Sequence, residues 1–116
     1  MIAPVVIGQR RLGDDAVALD LAVPPDHPAF AGHFPDRPIL PGVVQIDWAL
    51  RLAEQHLGSG AVTSRDFQVK FRRVIAPGAP VGLELRLDRA GLTLAFTYRQ
   101  DDDIASTGRL RLDRAP

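Results

Sequence analysis

The chain has 116 residues, 46% of them hydrophobic and 24% charged, and its 14 basic side chains balance its 14 acidic ones. That composition describes an ordinary globular protein, neither disordered nor membrane-spanning, and zero net charge gives no argument for nucleic acid or a membrane surface as partner. With no cysteine there is no disulfide framework, thiolate metal site or cysteine nucleophile, and a cytoplasmic location is expected.

The N-terminal apolar stretch, Val5 to Ile7, is far below the length of a signal-peptide core or a membrane span. A short strand is expected from Pro4 to Arg11. Val17, Leu19, Leu21 and Val23 then alternate with Ala18, Asp20 and Ala22, the period of a half-buried strand. Between Phe30 and Gly42 the prolines Pro35, Pro38 and Pro41 rule against a helix, because proline lacks a donor and restricts the residue before it. From Val43 to about Leu57 neither Gly nor Pro occurs, and Val43, Ile46, Ala49, Leu50, Ala53 and Leu57 recur at helical spacing. Gly58 supplies the stop, and Pro41 suits the first helical turn, where a missing N–H costs nothing.

Beyond the helix the alternation strengthens. Phe67, Val69 and Phe71 form one strand, Val81 to Leu87 a second, Leu92 to Tyr98 a third, and Leu110 with Leu112 a fourth. Their separators, at Ala76 to Pro80, Asp88 to Gly91 and Gln100 to Asp103, are too short for a crossover helix, so consecutive strands are expected to be antiparallel. One helix cannot cover both faces of a six-stranded sheet. A sheet that curls around the single helix buries one face, which predicts an α+β fold with Val44, Ile46, Ala49, Leu50 and Ala53 in the core. No linker or internal repeat is visible, so residues 1–116 read as one domain.

One imidazole, one helix start and one carboxylate fall within the eighteen residues Phe30 to Asp47. That is a candidate acid–base site. His33 lies on the loop, where the alternative is a histidine that merely satisfies nearby backbone groups. Asp47 lies in an otherwise apolar helix, which is unfavourable unless the group is paired or solvated. The competing use of Asp47 is an i,i+4 ion pair with Arg51, extended to Glu54, worth only ~0.2–0.5 kcal/mol. His27 precedes Pro28 in a turn-like segment and reads as structural or exposed. His56 lies in the last helical turn, where the dipole favours a cation. Since no His and carboxylate share a helical face at ligand spacing, no catalytic metal is expected.

Gly32-His33-Phe34-Pro35 followed by Pro38-Ile39-Leu40-Pro41-Gly42 resembles the signature of the hotdog-fold β-hydroxyacyl-acyl carrier protein dehydratases. Phe71-Arg72-Arg73-Val74-Ile75-Ala76-Pro77-Gly78 resembles a second block of that family. The run Pro41 to Ala49 is similar to the short dehydratases encoded in aryl-polyene biosynthesis clusters. The resemblance implies a hotdog fold, a six-stranded antiparallel sheet around one long central helix. It also implies dehydration of a 3-hydroxyacyl thioester on acyl carrier protein, without a cofactor, in fatty acid or aryl-polyene biosynthesis.

The family places its catalytic His on this loop and its carboxylate fourteen residues later on the helix, which here are His33 and Asp47. In the family's homodimers the two come from opposite subunits, so a homodimer or an assembly of dimers is implied. Neutral imidazole is well matched to take the α-proton. The amides around Gly42 and Val43, at the positive end of the helix dipole, can donate to an enolate oxygen. Phe30, Phe34, Leu40, Val43 and Trp48 are near enough to line an acyl tunnel, with core packing as the competing use. Lys70, Arg72 and Arg73 can steer an acidic carrier protein, with strand-edge solubility as the other explanation.

Two departures from the family stand out. Arg51 replaces a frequent Gln, and the N-terminal block of longer dehydratases is missing. An Arg51 contact would turn Asp47 from direct proton donor towards a charged group that positions water. One branch of the family carries Asp here and also isomerises the double bond, but dehydration alone is the expectation. The alternatives are a hotdog thioesterase, which usually lacks the Gly-His-Phe-Pro loop, and a silent hotdog subunit that partners another dehydratase.

Overall fold

The computed structural model describes residues 3–24, 26–28 and 39–113. Six strands and one helix follow one another as β1 (Val5–Gly13), β2 (Ala16–Ala22), α1 (Gly42–Leu57), β3 (Ser64–Phe71), β4 (Val81–Asp88), β5 (Thr93–Gln100) and β6 (Asp103–Leu112). All the strands belong to one antiparallel sheet in the order β1-β2-β4-β5-β6-β3.

The expected hairpins form at β4/β5 and β5/β6, and β1 and β2 pair as a further one. The β5/β6 turn is tight because Asp101 and Asp102 both take positive φ, 54° and 65°, a geometry that Asp tolerates and that suits the twist of a two-residue hairpin. Consecutive β3 and β4 are the exception: they do not pair. β3 lies on β6 at the sheet edge and β4 lies on β2. The intervening chain is instead tied down elsewhere, with Arg72 N and Arg73 N donating to Ala105 O and with Leu40 N donating to Ile75 O. Turn residues between two strands set the chain's reversal, not which neighbour each strand chooses.

Helix α1 packs on β2, β4 and β5. Its buried side chains are Val44, Gln45, Trp48, Ala49, Leu50, Leu52, Ala53 and Leu57, while Val43, expected in the apolar stripe, is 70% exposed. Ile46 is only partly buried against the core. The helix stops where Gly58 adopts φ 61° and returns its N–H to Glu54 O. Its last carbonyls are met by two arginines: Arg11 donates to His56 O, and Arg89 donates to Leu57 O and Gly58 O. Cations there also oppose the negative end of the helix dipole.

The register continues the core face past the helix. Leu87, Leu94, Leu110 and Phe67 lie side by side across β4, β5, β6 and β3. The three leucines are buried, whereas Phe67 on the edge strand is 52% exposed.

Candidate active site

Helix α1 begins at Gly42 after Pro41, which is extended (φ −61°, ψ 148°) and offers no side-chain cap. The Pro41 carbonyl accepts from Val44 N and Gln45 N, while Gly42 N and Val43 N, the amides of the first two helical residues, open the helix. A Cβ on Gly42 would stand 2.6 Å from the Phe71 ring, so a side chain here must displace the ring by which the end of β3 closes over the helix start. A cavity of about 290 Å³ opens here, lined by Leu40, Gly42, Gln45, Phe71, Arg72 and Val74 among others.

Asp47 stands little more than one turn into the helix with its side chain 22% exposed, and Arg51 Nε lies 3.0 Å from each of its carboxylate oxygens. The i,i+4 pair is therefore formed. Its expected extension to Glu54 is not: Glu54 Oε2 accepts from Ser59 Oγ at 3.0 Å and from Gly60 N, bracing the turn after the helix. A charged carboxylate held by a guanidinium is suited to orienting a hydroxyl or a water.

Sequence reading overlooked Gln45, Tyr98 and Ser106, all buried. The Tyr98 hydroxyl donates to Gln45 O at 2.7 Å, Ser106 Oγ donates to Gln45 Oε1 at 2.6 Å, and Gln45 Nε2 donates to Leu40 O at 3.1 Å. Burial, and secondarily the negative charge of Asp47, push the Tyr98 phenol well above its ordinary value, since both disfavour phenolate. The available signal was helical phase: Gln45 precedes Trp48, Ala49 and Leu52 by three, four and seven residues, so a polar side chain sits in a buried stripe.

The other predicted residues divide. Phe30, His33 and Phe34 lie outside the described residues. Leu40 and Trp48 are in the core, 2% and 0% exposed, and the Trp48 ring meets His27 edge-on with centroids 5.4 Å apart. His27 is structural, 8% exposed, with Nε2 3.3 Å from Ala3 O. His56 does not meet the expectation of a favoured cation, because burial and then the charge of Arg11 lower its pKa. Lys70, Arg72 and Arg73 are exposed, and Arg73 pairs with Asp103 at 3.2 Å. Among the described residues no three His, Cys, Asp or Glu side chains gather in metal-binding geometry, and no helix is long and apolar enough to cross a membrane.

The sequence model of the ApeI-like family, described as ApeI dehydratase, matches residues 9–109. A curated relative, the 3-hydroxyacyl-[acyl-carrier-protein] dehydratase FabZ of Natranaerobius thermophilus, is 38% identical over 73% of this chain and 67% of its own. The FabZ of Roseiflexus sp. is 36% identical over 71% of this chain and 58% of its own. The chain thus spans about three-fifths to two-thirds of these relatives' lengths. Among solved structures, the dehydratase heterocomplex ApeI:P from Xenorhabdus doucetiae superposes with a TM-score of 0.89 at 32% identity, covering 97% of this chain and 100% of that one. The E. coli PaaI protein shares only the fold, with a TM-score of 0.62 at 12% identity over 88% of this chain and 78% of that one.

Proposed function

The chain belongs to the ApeI-like dehydratase family, a hotdog-fold group, and on that premise we propose that it removes water from a 3-hydroxyacyl thioester borne by acyl carrier protein, leaving the trans-2-enoyl thioester. It is a hydro-lyase working as one domain over residues 1–116, with a place in cytoplasmic fatty acid or aryl-polyene biosynthesis. The observation that carries this reading is Asp47, a partly exposed carboxylate little more than one turn past an uncapped helix start, preceded in sequence by Gly32-His33-Phe34-Pro35.

The chemistry follows from those groups. Neutral His33 takes the C2 proton, and the electron pair moves onto the thioester oxygen. There the Gly42 and Val43 N–H groups, backed by the helix dipole, oppose the growing charge. As the enolate collapses, the C3–O bond breaks and the hydroxyl leaves as water, recovering the proton from the His33 imidazolium. Asp47, held by Arg51, orients that hydroxyl or an intervening water. The cavity beside Gly42 and Phe71 leaves room for the thioester to reach these amides.

The pair is completed across a dimer in this reading, with His33 from one subunit and Asp47 from the other. Its support is the β3 edge: an end strand whose Phe67 and Phe71 are 52% and 55% exposed is a surface that a second chain covers by strand addition. Exposed Lys70 and Arg72, with Arg73, draw in the acidic carrier protein.

The test is the product. Purified protein incubated with 3-hydroxyacyl carrier protein yields enoyl thioester under this account; free acid would indicate a thioesterase, and no reaction a silent subunit.

A further inference from the structure

Gln45 is 3% exposed and takes no part in the elimination just described, yet every polar group it presents to the interior has a partner. Leu40 O can only accept, so the amide nitrogen faces it, and Oε1 therefore receives the Ser106 hydroxyl. The main-chain carbonyl of the same residue receives Tyr98. One side chain and one carbonyl thus bind three places at once: the segment before the helix, β6 and β5.

Leu40 is the sensitive end of this arrangement. Its N–H is fixed to Ile75 O at 2.8 Å and its carbonyl to Gln45, so Leu40 is held through the peptide on each side of it, the second being the one that enters Pro41. Proline brings no N–H of its own, and its ring fixes φ. The next peptide, which carries the Gly42 N–H, is held where the Pro41 carbonyl accepts from Val44 N and Gln45 N, so Gln45 anchors the helix start through its own main chain as well as through its carboxamide. No side-chain cap adds to these bonds.

We propose that Gln45 is a positioning residue for the elimination: its buried carboxamide locks Leu40-Pro41-Gly42 against β6, so that the Gly42 and Val43 amides are already aimed at the thioester oxygen. This rests on the dehydratase reading. Donors fixed in advance need no rearrangement as charge develops, which is where such groups earn their catalytic effect.

The test compares Gln45→Leu, which keeps the volume but removes both side-chain bonds, with the milder Ser106→Ala, which leaves the Leu40 bond intact. In folded Gln45→Leu, kcat falls about 10- to 100-fold with KM within about 3-fold, since the amides act on the transition state; Ser106→Ala loses about 3- to 10-fold in kcat. A kcat within about 2-fold of wild type in folded Gln45→Leu, or a loss confined to KM, overturns the proposal. A second readout does not depend on turnover. In [15N]glycine-labelled protein the Gly42 amide gives one sharp resonance in wild type, and a shifted, exchange-broadened one in Gln45→Leu while the other glycines hold. An unchanged Gly42 resonance overturns the proposal even if wild type proves to dehydrate nothing, an outcome that by itself overturns only the functional reading.

Discussion

Arg51 grips Asp47 through a single nitrogen, its Nε standing 3.0 Å from both carboxylate oxygens one helical turn away. The guanidinium is about half exposed, so water screens the pair and its contribution to folding is small, ~0.2–0.5 kcal/mol. Its effect on the carboxylate's orientation is larger. Arg51→Ala is expected to lower the melting temperature by no more than about 1–3 °C while reducing turnover about 3- to 10-fold as Asp47 loses its fixed rotamer. Calorimetry beside steady-state kinetics checks both halves.

Gly42→Ala probes the helix start. The added methyl would stand 2.6 Å from the tip of the Phe71 ring, and that ring, 55% exposed, can swing outward. Stability is therefore expected to change by less than about 1 kcal/mol. Turnover is expected to fall at least about 10-fold, because the methyl and the Phe71 ring it displaces crowd the cavity beside these amides. Equal activity in the folded variant would remove Gly42 from the site.

Tyr98 is the sole tyrosine of the chain, so ultraviolet absorbance reads one phenol. Burial first, and Asp47 second, raise its pKa well above the ordinary value. The folded state then holds this proton more tightly than the unfolded state, so the contribution to stability is whole below the unfolded value of about 10 and declines as pH rises above it. Alkaline titration is expected to show no phenolate in the native protein near pH 10, and then a step that coincides with unfolding reported by Trp48 fluorescence.

Much of this fold could be read from alternation alone, because a residue that alternates between core and solvent prints its face in the sequence. The helix from Gly42 to Leu57 and the strand around Leu83 and Leu85 are of this kind. The position of β3 could not be read so, since Phe67, Val69 and Phe71 alternate identically whether their strand lies beside β4 or at the far edge on β6. The Asp47–Arg51 contact was readable from helical spacing. The Gln45 network was not, for it joins residues 53 and 61 positions apart that become neighbours only once β5 and β6 pair. His56 was misread for the opposite reason: the helix dipole is a local effect, and burial beside Arg11 is a tertiary one that outweighs it.

Mixing two inactive variants tests whether the site is shared between chains. If His33 and Asp47 act from opposite subunits, a His33→Ala chain paired with an Asp47→Asn chain contains one intact site. Random reassociation is then expected to restore roughly a quarter of wild-type turnover. A mixture no more active than its components would place both groups in one chain.

The most direct measurement follows the mass of a 3-hydroxyacyl carrier protein during incubation with wild type, His33→Ala and Asp47→Asn. Wild type is expected to remove one water from the acyl group and leave the thioester intact, with each variant slower by at least about 100-fold. Release of the acyl group as free acid, or turnover in either folded variant close to that of wild type, would contradict elimination by an imidazole and a carboxylate at this helix start.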